Sequence, residues 1–150
     1  MNIYIYEDSN TLNLEPIVLT RPSFDLRCGE YTFLERVQSL FPDARISLIV
    51  RDELAGVTAN RFSDLTVNPS EVQSGLWLKG PVLWDQETLD ISLKEGTILI
   101  SHGEMVSASL NAEQGNRWLS EGGPLSGEPS ETLREENTDV QVIRYLWDCV

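Results

Sequence analysis

A strand, helix, strand succession in the first third of the chain narrows the fold more than any other feature. Asn2-Ile3-Tyr4-Ile5-Tyr6 is rich in β-branched and aromatic residues and stops at Glu7-Asp8-Ser9-Asn10, a polar cluster that cannot extend a buried strand. Phe33, Leu34, Val37, Leu40 and Phe41 then recur at the offsets of one helical face, and Thr32 with Glu35 has the spacing of a capping box, so a helix should start near Thr32. Pro42 and Asp43 end it, and Ile46-Ser47-Leu48-Ile49-Val50 reads as a second buried strand. Two strands joined through a helix pair in parallel, which predicts an α/β protein. In such sheets ligands bind outside the carboxyl ends of the strands, here Glu7-Asp8 and Arg51-Asp52.

The expected fold is a Rossmann-like three-layer sandwich with a mostly parallel sheet and a mixed edge. The mixed edge follows from Thr97-Ile98-Leu99-Ile100 and Met105 to Leu110, which should form a hairpin across a turn at His102-Gly103. Leu65-Thr66-Val67, Gly75 to Leu78 and Pro81 to Trp84 read as shorter strand fragments, and Asp52 to Val57 and Ala112 to Leu119 as short helices. Gly122 to Ser130 has the composition of a loop, either a lid or a connector. Val140, Ile143, Leu146 and Trp147 have helical spacing, so a terminal amphipathic helix is expected.

The 150 residues suit one domain, 1–150, and a 41% hydrophobic content suffices for a core. The 24 acidic residues against 11 basic ones give a net charge of -13, which repels a nucleic-acid backbone and offers no basic stripe to anionic lipid. A smaller anion is best accommodated in the N-terminal third, which holds Arg21, Arg27, Arg36, Arg45 and Arg51. Cys28 and Cys149 form no C-x-x-C pair and suggest neither a zinc site nor a disulfide framework. With no leader-like start and no long apolar run, the expected location is the cytoplasm.

Between the first strand and the first helix lie Pro16, Leu19-Thr20-Arg21-Pro22 and Asp25-Leu26-Arg27-Cys28-Gly29, followed by Glu35-Arg36. Together with Glu7-Asp8 these segments resemble the bacterial sugar nucleotidyltransferase family, proteins similar to the N-terminal half of N-acetylglucosamine-1-phosphate uridyltransferase. Leu78-Lys79-Gly80-Pro81 and Tyr145-Leu146-Trp147-Asp148 are weaker echoes of the same family. The resemblance implies the N-terminal part of a nucleotide-diphospho-sugar transferase fold. Because family members continue past the last echo, it also implies a truncated version of a larger design.

The implied chemistry is attack of a sugar-1-phosphate oxygen on the α-phosphorus of a nucleoside triphosphate, with pyrophosphate leaving and magnesium as cofactor. Arg21 and Arg27 are the implied catalytic residues, Thr20, Arg21, Arg27 and Gly29 the implied substrate-binding set, and Asp8 the implied metal ligand, with Glu104 as a further candidate. Guanidinium groups suit this role because their fork of donors matches phosphate. The chain departs from ordinary sugar nucleotidyltransferases in two respects. Residues 7–15 contain no glycine for a phosphate-wrapping loop, and Ser23 follows Pro22 where a lysine would stand. A non-catalytic module that keeps the fold for ligand sensing or docking is therefore the alternative, and an unrelated α/β protein a third. Homo-oligomerisation is left open. His102 in its turn is expected to be structural, and Trp77, Trp84, Trp118 and Trp147 to be core or interface residues.

Overall fold

The computed structural model describes residues 1–149, with the exception of the Leu146 side chain. β1 (Asn2–Tyr6) leads through three short 3₁₀ turns to a small hairpin of β2 (Arg27–Cys28) and β3 (Tyr31–Thr32). Then come α1 (Phe33–Leu40), β4 (Arg45–Ile49), α2 (Ala55–Arg61), β5 (Thr66–Val67), β6 (Gly75–Lys79) and α3 (Gln86–Ser92). The last part comprises β7 (Thr97–Ser101), β8 (Glu104–Leu110), α4 (Ala112–Ser120) and β9 (Arg134–Thr138). The seven-stranded sheet has the order β5-β4-β1-β6-β8-β7-β9. Every described pairing within it is parallel except those of β8, which runs antiparallel to β6 and β7.

Side chains of successive strand residues point to opposite faces, so β1, buried from Ile3 to Tyr6, feeds two cores. Ile3 and Ile5 join Phe33, Leu34 and Val37 of α1 and Leu89 of α3 on one side. Tyr4 and Tyr6 join Trp77 and Trp118 on the other, where α4 packs. Helices therefore cover both faces, giving the three layers expected. Trp77 stacks on Tyr4 with ring centroids 4.7 Å apart and lies 5.0 Å from Trp118. Gly115 of α4 makes that packing possible, since a Cβ there would come 2.8 Å from Val72 Cγ2.

The capping box forms as the spacing predicts. Thr32 accepts from the Glu35 amide at 3.1 Å, and the Glu35 carboxylate accepts from the Thr32 amide at 2.7 Å. A Thr32→Ala chain should lose about 1 kcal/mol of stability, read as a shift in the urea midpoint. The predicted hairpin at His102-Gly103 also forms, with φ of 51° and 77° at its two turn residues, the positive values that a two-residue primed turn requires.

Two expectations need correction. Val140, Val142 and Ile143 lie outside any helix: Val142 bridges to Val82, and the Ile143 amide donates to the Pro81 carbonyl at 2.8 Å. Only Leu146–Cys149 makes a helical turn. Residues 81–84 contribute that single bridge instead of a strand. α3 and β9 were not anticipated. The sheet is mixed toward one edge as expected, through β8, and β9 adds a parallel pairing to β7 beyond it. Among the described residues no helix is long and apolar enough to cross a membrane.

Candidate functional site

β1 is flanked by β4, which follows it in sequence, and by β6, reached only after the chain returns across the sheet. This is the switch point at which open α/β sheets leave a crevice beyond their carboxyl ends. Glu7, Arg51 and Lys79 stand at those ends of β1, β4 and β6, and all three are buried.

Glu7 is fully buried, and a carboxylate there must be paired and hydrogen-bonded to persist. One oxygen accepts from the Ser23 amide at 2.8 Å; the other accepts from the Arg51 amide and from Arg51 Nε, both at 3.2 Å. The Arg51 guanidinium also donates to the Val18 carbonyl. One ion pair thus fastens residues 18–23 across the ends of β1 and β4. The segment Thr20-Arg21-Pro22 is held at the rim by this brace and not by a glycine loop.

Lys79 is 2% exposed and lies 2.7 Å from Asp8 Oδ2, with Glu104 Oε1 also against its ammonium. Burial pushes the Lys79 pKa below its ordinary value, while the facing Asp8 carboxylate pulls it back up. Arg144 completes the group, donating to Glu104 Oε2 through Nε and a terminal nitrogen at 3.3 and 3.1 Å. Asn10 Nδ2 donates to Glu104 Oε1 at 3.1 Å. The neighbouring Tyr6 hydroxyl is pushed well above its usual pKa, chiefly by burial and then by Asp8, and stays neutral.

Two clefts open on either side of Asp8 and Ser9. The larger, of about 350 Å³, is lined by Asp8, Ser9, Leu12, Arg51, Asp52, Glu53 and Leu125. The smaller, of about 170 Å³, lies over Tyr6, Asn10 and Glu104, with Pro124, Gly127 and Glu128 as its far wall. The 122–130 segment is therefore a wall of the site, held by a hydrogen bond of 3.0 Å from Trp118 Nε1 to the Gly127 carbonyl.

The residues expected from sequence are distributed unevenly around this rim. Asp8 sits at its centre. Thr20 and Arg21 are exposed on the braced segment, and Arg21 acts on Asp25, where burial raises the carboxyl pKa and first Arg61, then Arg21, lower it. Arg27 and Gly29 lie on the β2–β3 hairpin instead. Arg27 donates to the Glu30 carbonyl and lies 3.9 Å from Glu35, and neither Arg21 nor Arg27 lines the two clefts. Gly29, with φ of 81°, is the first of two hairpin-turn residues, where a side chain would be strained. Sequence reasoning passed over Glu7, Arg51 and Lys79 as site residues. The signal was a charged residue immediately ending each of three apolar strands, one of them in a turn-like Lys79-Gly80-Pro81.

Magnesium, implied by the resemblance, would need one or two carboxylates and several waters. The Asp8 and Glu104 pair does not fit it, because the Lys79 ammonium and Arg144 already engage both carboxylates. Among the described residues no three His, Cys, Asp or Glu side chains converge as a metal site.

The sheet and its braced rim define an α/β protein with a ligand-sized cleft at its switch point. The chain belongs to the sugar nucleotidyl transferase family, whose profile matches residues 3–150, and nucleotidyl transfer is the chemistry of that family. A crystal structure of a Bacillus anthracis protein, provisionally described as a glucose-1-phosphate thymidylyltransferase and solved with sucrose, is similar over 97% of this chain and 90% of its own. The identity is 10% and the TM-score 0.47. No curated protein sequence matches the chain.

Proposed function

We propose that the chain is the nucleotide-binding part of a sugar-1-phosphate nucleotidyltransferase, of the kind that makes UDP-N-acetylglucosamine. The observation that carries this reading is the 350 Å³ cleft at the switch point, in a chain whose family performs that chemistry. A nucleoside triphosphate enters beside Asp8 and Arg51, and a sugar-1-phosphate oxygen attacks its α-phosphorus as the bond to pyrophosphate breaks. Catalysis of this type is mostly positioning and charge stabilisation. Arg21, exposed on the segment that Glu7 braces, is the side chain free to swing toward the phosphates. Thr20 beside it supplies a hydroxyl. Arg27 would first have to release the Glu30 carbonyl, so its part is secondary.

A second reading has its own support. The charges beneath the rim are matched internally, Glu7 with Arg51 and Asp8 and Glu104 with Lys79 and Arg144, which suits a module that binds a ligand without turning it over. Calorimetric titration with UTP, together with a pyrophosphate-release assay containing UTP and N-acetylglucosamine-1-phosphate, separates the two. The transferase reading expects binding and release, with Arg21→Ala weakening UTP binding about tenfold, as loss of a charge-assisted phosphate contact should. Binding without release supports the second reading. No binding of UTP removes both the nucleotide and the transfer step.

A further inference from the structure

The two carboxylates that flank Lys79 at the rim are engaged by the chain itself. Asp8 Oδ1 accepts from the Asn10 amide at 3.0 Å, which caps the Ser9–Leu14 turn, and Oδ2 lies 2.7 Å from Lys79 Nζ. Glu104 Oε1 takes Lys79 and Asn10, and Oε2 takes Arg144. Each of the four oxygens has at least one cation or hydrogen-bond donor of the chain against it. A lysine is almost never buried unless paired, and this one is buried with the pair formed. From this pairing we infer that the Lys79 ammonium occupies the cation position between Asp8 and Glu104, in place of a divalent metal. A dication entering between Asp8 and Glu104 would have to displace a buried ammonium or sit against it, and like charges at that distance repel strongly.

The consequence is chemical and local. The rim has its own fixed monovalent cation, held in place by two acids on different elements, one after β1 and one at the start of β8. This inference concerns cation binding alone and stands apart from the transferase reading.

Manganese is a convenient probe, because free Mn²⁺ gives an electron paramagnetic resonance signal that binding removes. The intact chain should bind no Mn²⁺ at the rim with a dissociation constant below about 1 mM, the weak end of protein carboxylate sites. Lys79→Met should raise Mn²⁺ affinity at least about tenfold by removing the competing charge, and adding Asp8→Asn should abolish that gain. Lys79→Arg, which keeps the cation, should bind none. Wild-type binding that disappears in Asp8→Asn would overturn the inference, as would a folded Lys79→Met chain that gains no affinity. Wild-type binding that persists unchanged in Asp8→Asn lies elsewhere and leaves the rim as inferred. Should circular dichroism show Lys79→Met unfolded, the wild-type and Asp8→Asn titrations decide the matter alone.

Discussion

Replacing Glu7 with alanine should cost about 3 to 5 kcal/mol, the usual result of stranding one member of a buried ion pair. The loss has several components. Arg51 keeps a buried guanidinium without its carboxylate, and the Ser23 and Arg51 amides lose their acceptor at the same time. Urea denaturation followed by tryptophan fluorescence measures it, and a loss below about 1 kcal/mol would mean the pair is not structural, as for an exposed ion pair. A Glu7→Leu, Arg51→Met double variant should recover part of the stability, since apolar replacement of a buried pair is often tolerated. Recovery should be incomplete because the two amides remain unpartnered. Amide exchange in residues 18–23 should rise in both variants, as this is the segment the brace holds.

Trp118→Ala should be comparably severe, about 3 to 5 kcal/mol, the range for deleting a large buried aromatic. Trp118 packs 5.0 Å from Trp77 and edge-on to Tyr6 at 5.9 Å, so its removal opens a hole beneath two other rings of the same core. Trp118→Phe separates the packing from the hydrogen bond. It keeps most of the buried area but frees the Gly127 carbonyl, and should cost roughly 1 kcal/mol beyond the small volume change. Hydrogen exchange across 122–130 should accelerate in the phenylalanine variant while the sheet stays protected. An unchanged exchange rate there would show that this wall is held by other contacts.

Where local chemistry and tertiary packing agree, the sequence was readable. β1 and β4 combine β-branched residues with abrupt polar stops, and α1 announces itself through Thr32 and Glu35. The failures have physical causes. β9 reads Arg-Glu-Glu-Asn-Thr, with no apolar alternation, because it lies at the sheet margin and is held by main-chain pairing to β7. The helical spacing of Val140 and Ile143 was a coincidence overridden by long-range bonds to Val82 and Pro81, which no local window contains. The buried faces of Trp77, Trp84 and Trp118 match the apolar patterns around them, whereas Trp147 is 69% exposed and stacks on Tyr145.

The site was legible in place and less so in composition. The carboxyl ends of β1 and β4 were the right region, and Asp8 was the right acid to notice. Lys79 was hidden because its two partners come from positions 8 and 104, far from it along the chain. Arg21 and Arg27 drew attention as cations near a predicted loop, but Arg51 lines the cleft and is fixed by Glu7, a residue that looked like the polar end of a strand.

The two margins of the sheet carry a consequence for how copies of the chain can meet. One margin, β5, is only Thr66–Val67, too short to offer much of a template. The other, β9, presents Glu135 and Glu136, with Lys94 and Arg134 lying close to Glu136. A register that sets Glu135 or Glu136 against a glutamate of a second copy would be disfavoured by like charge, on a chain already carrying a charge of -13. Joining sheet to sheet into a continuous ribbon is therefore disfavoured by charge at this margin, which leaves faces and loops as the better routes for any association between copies.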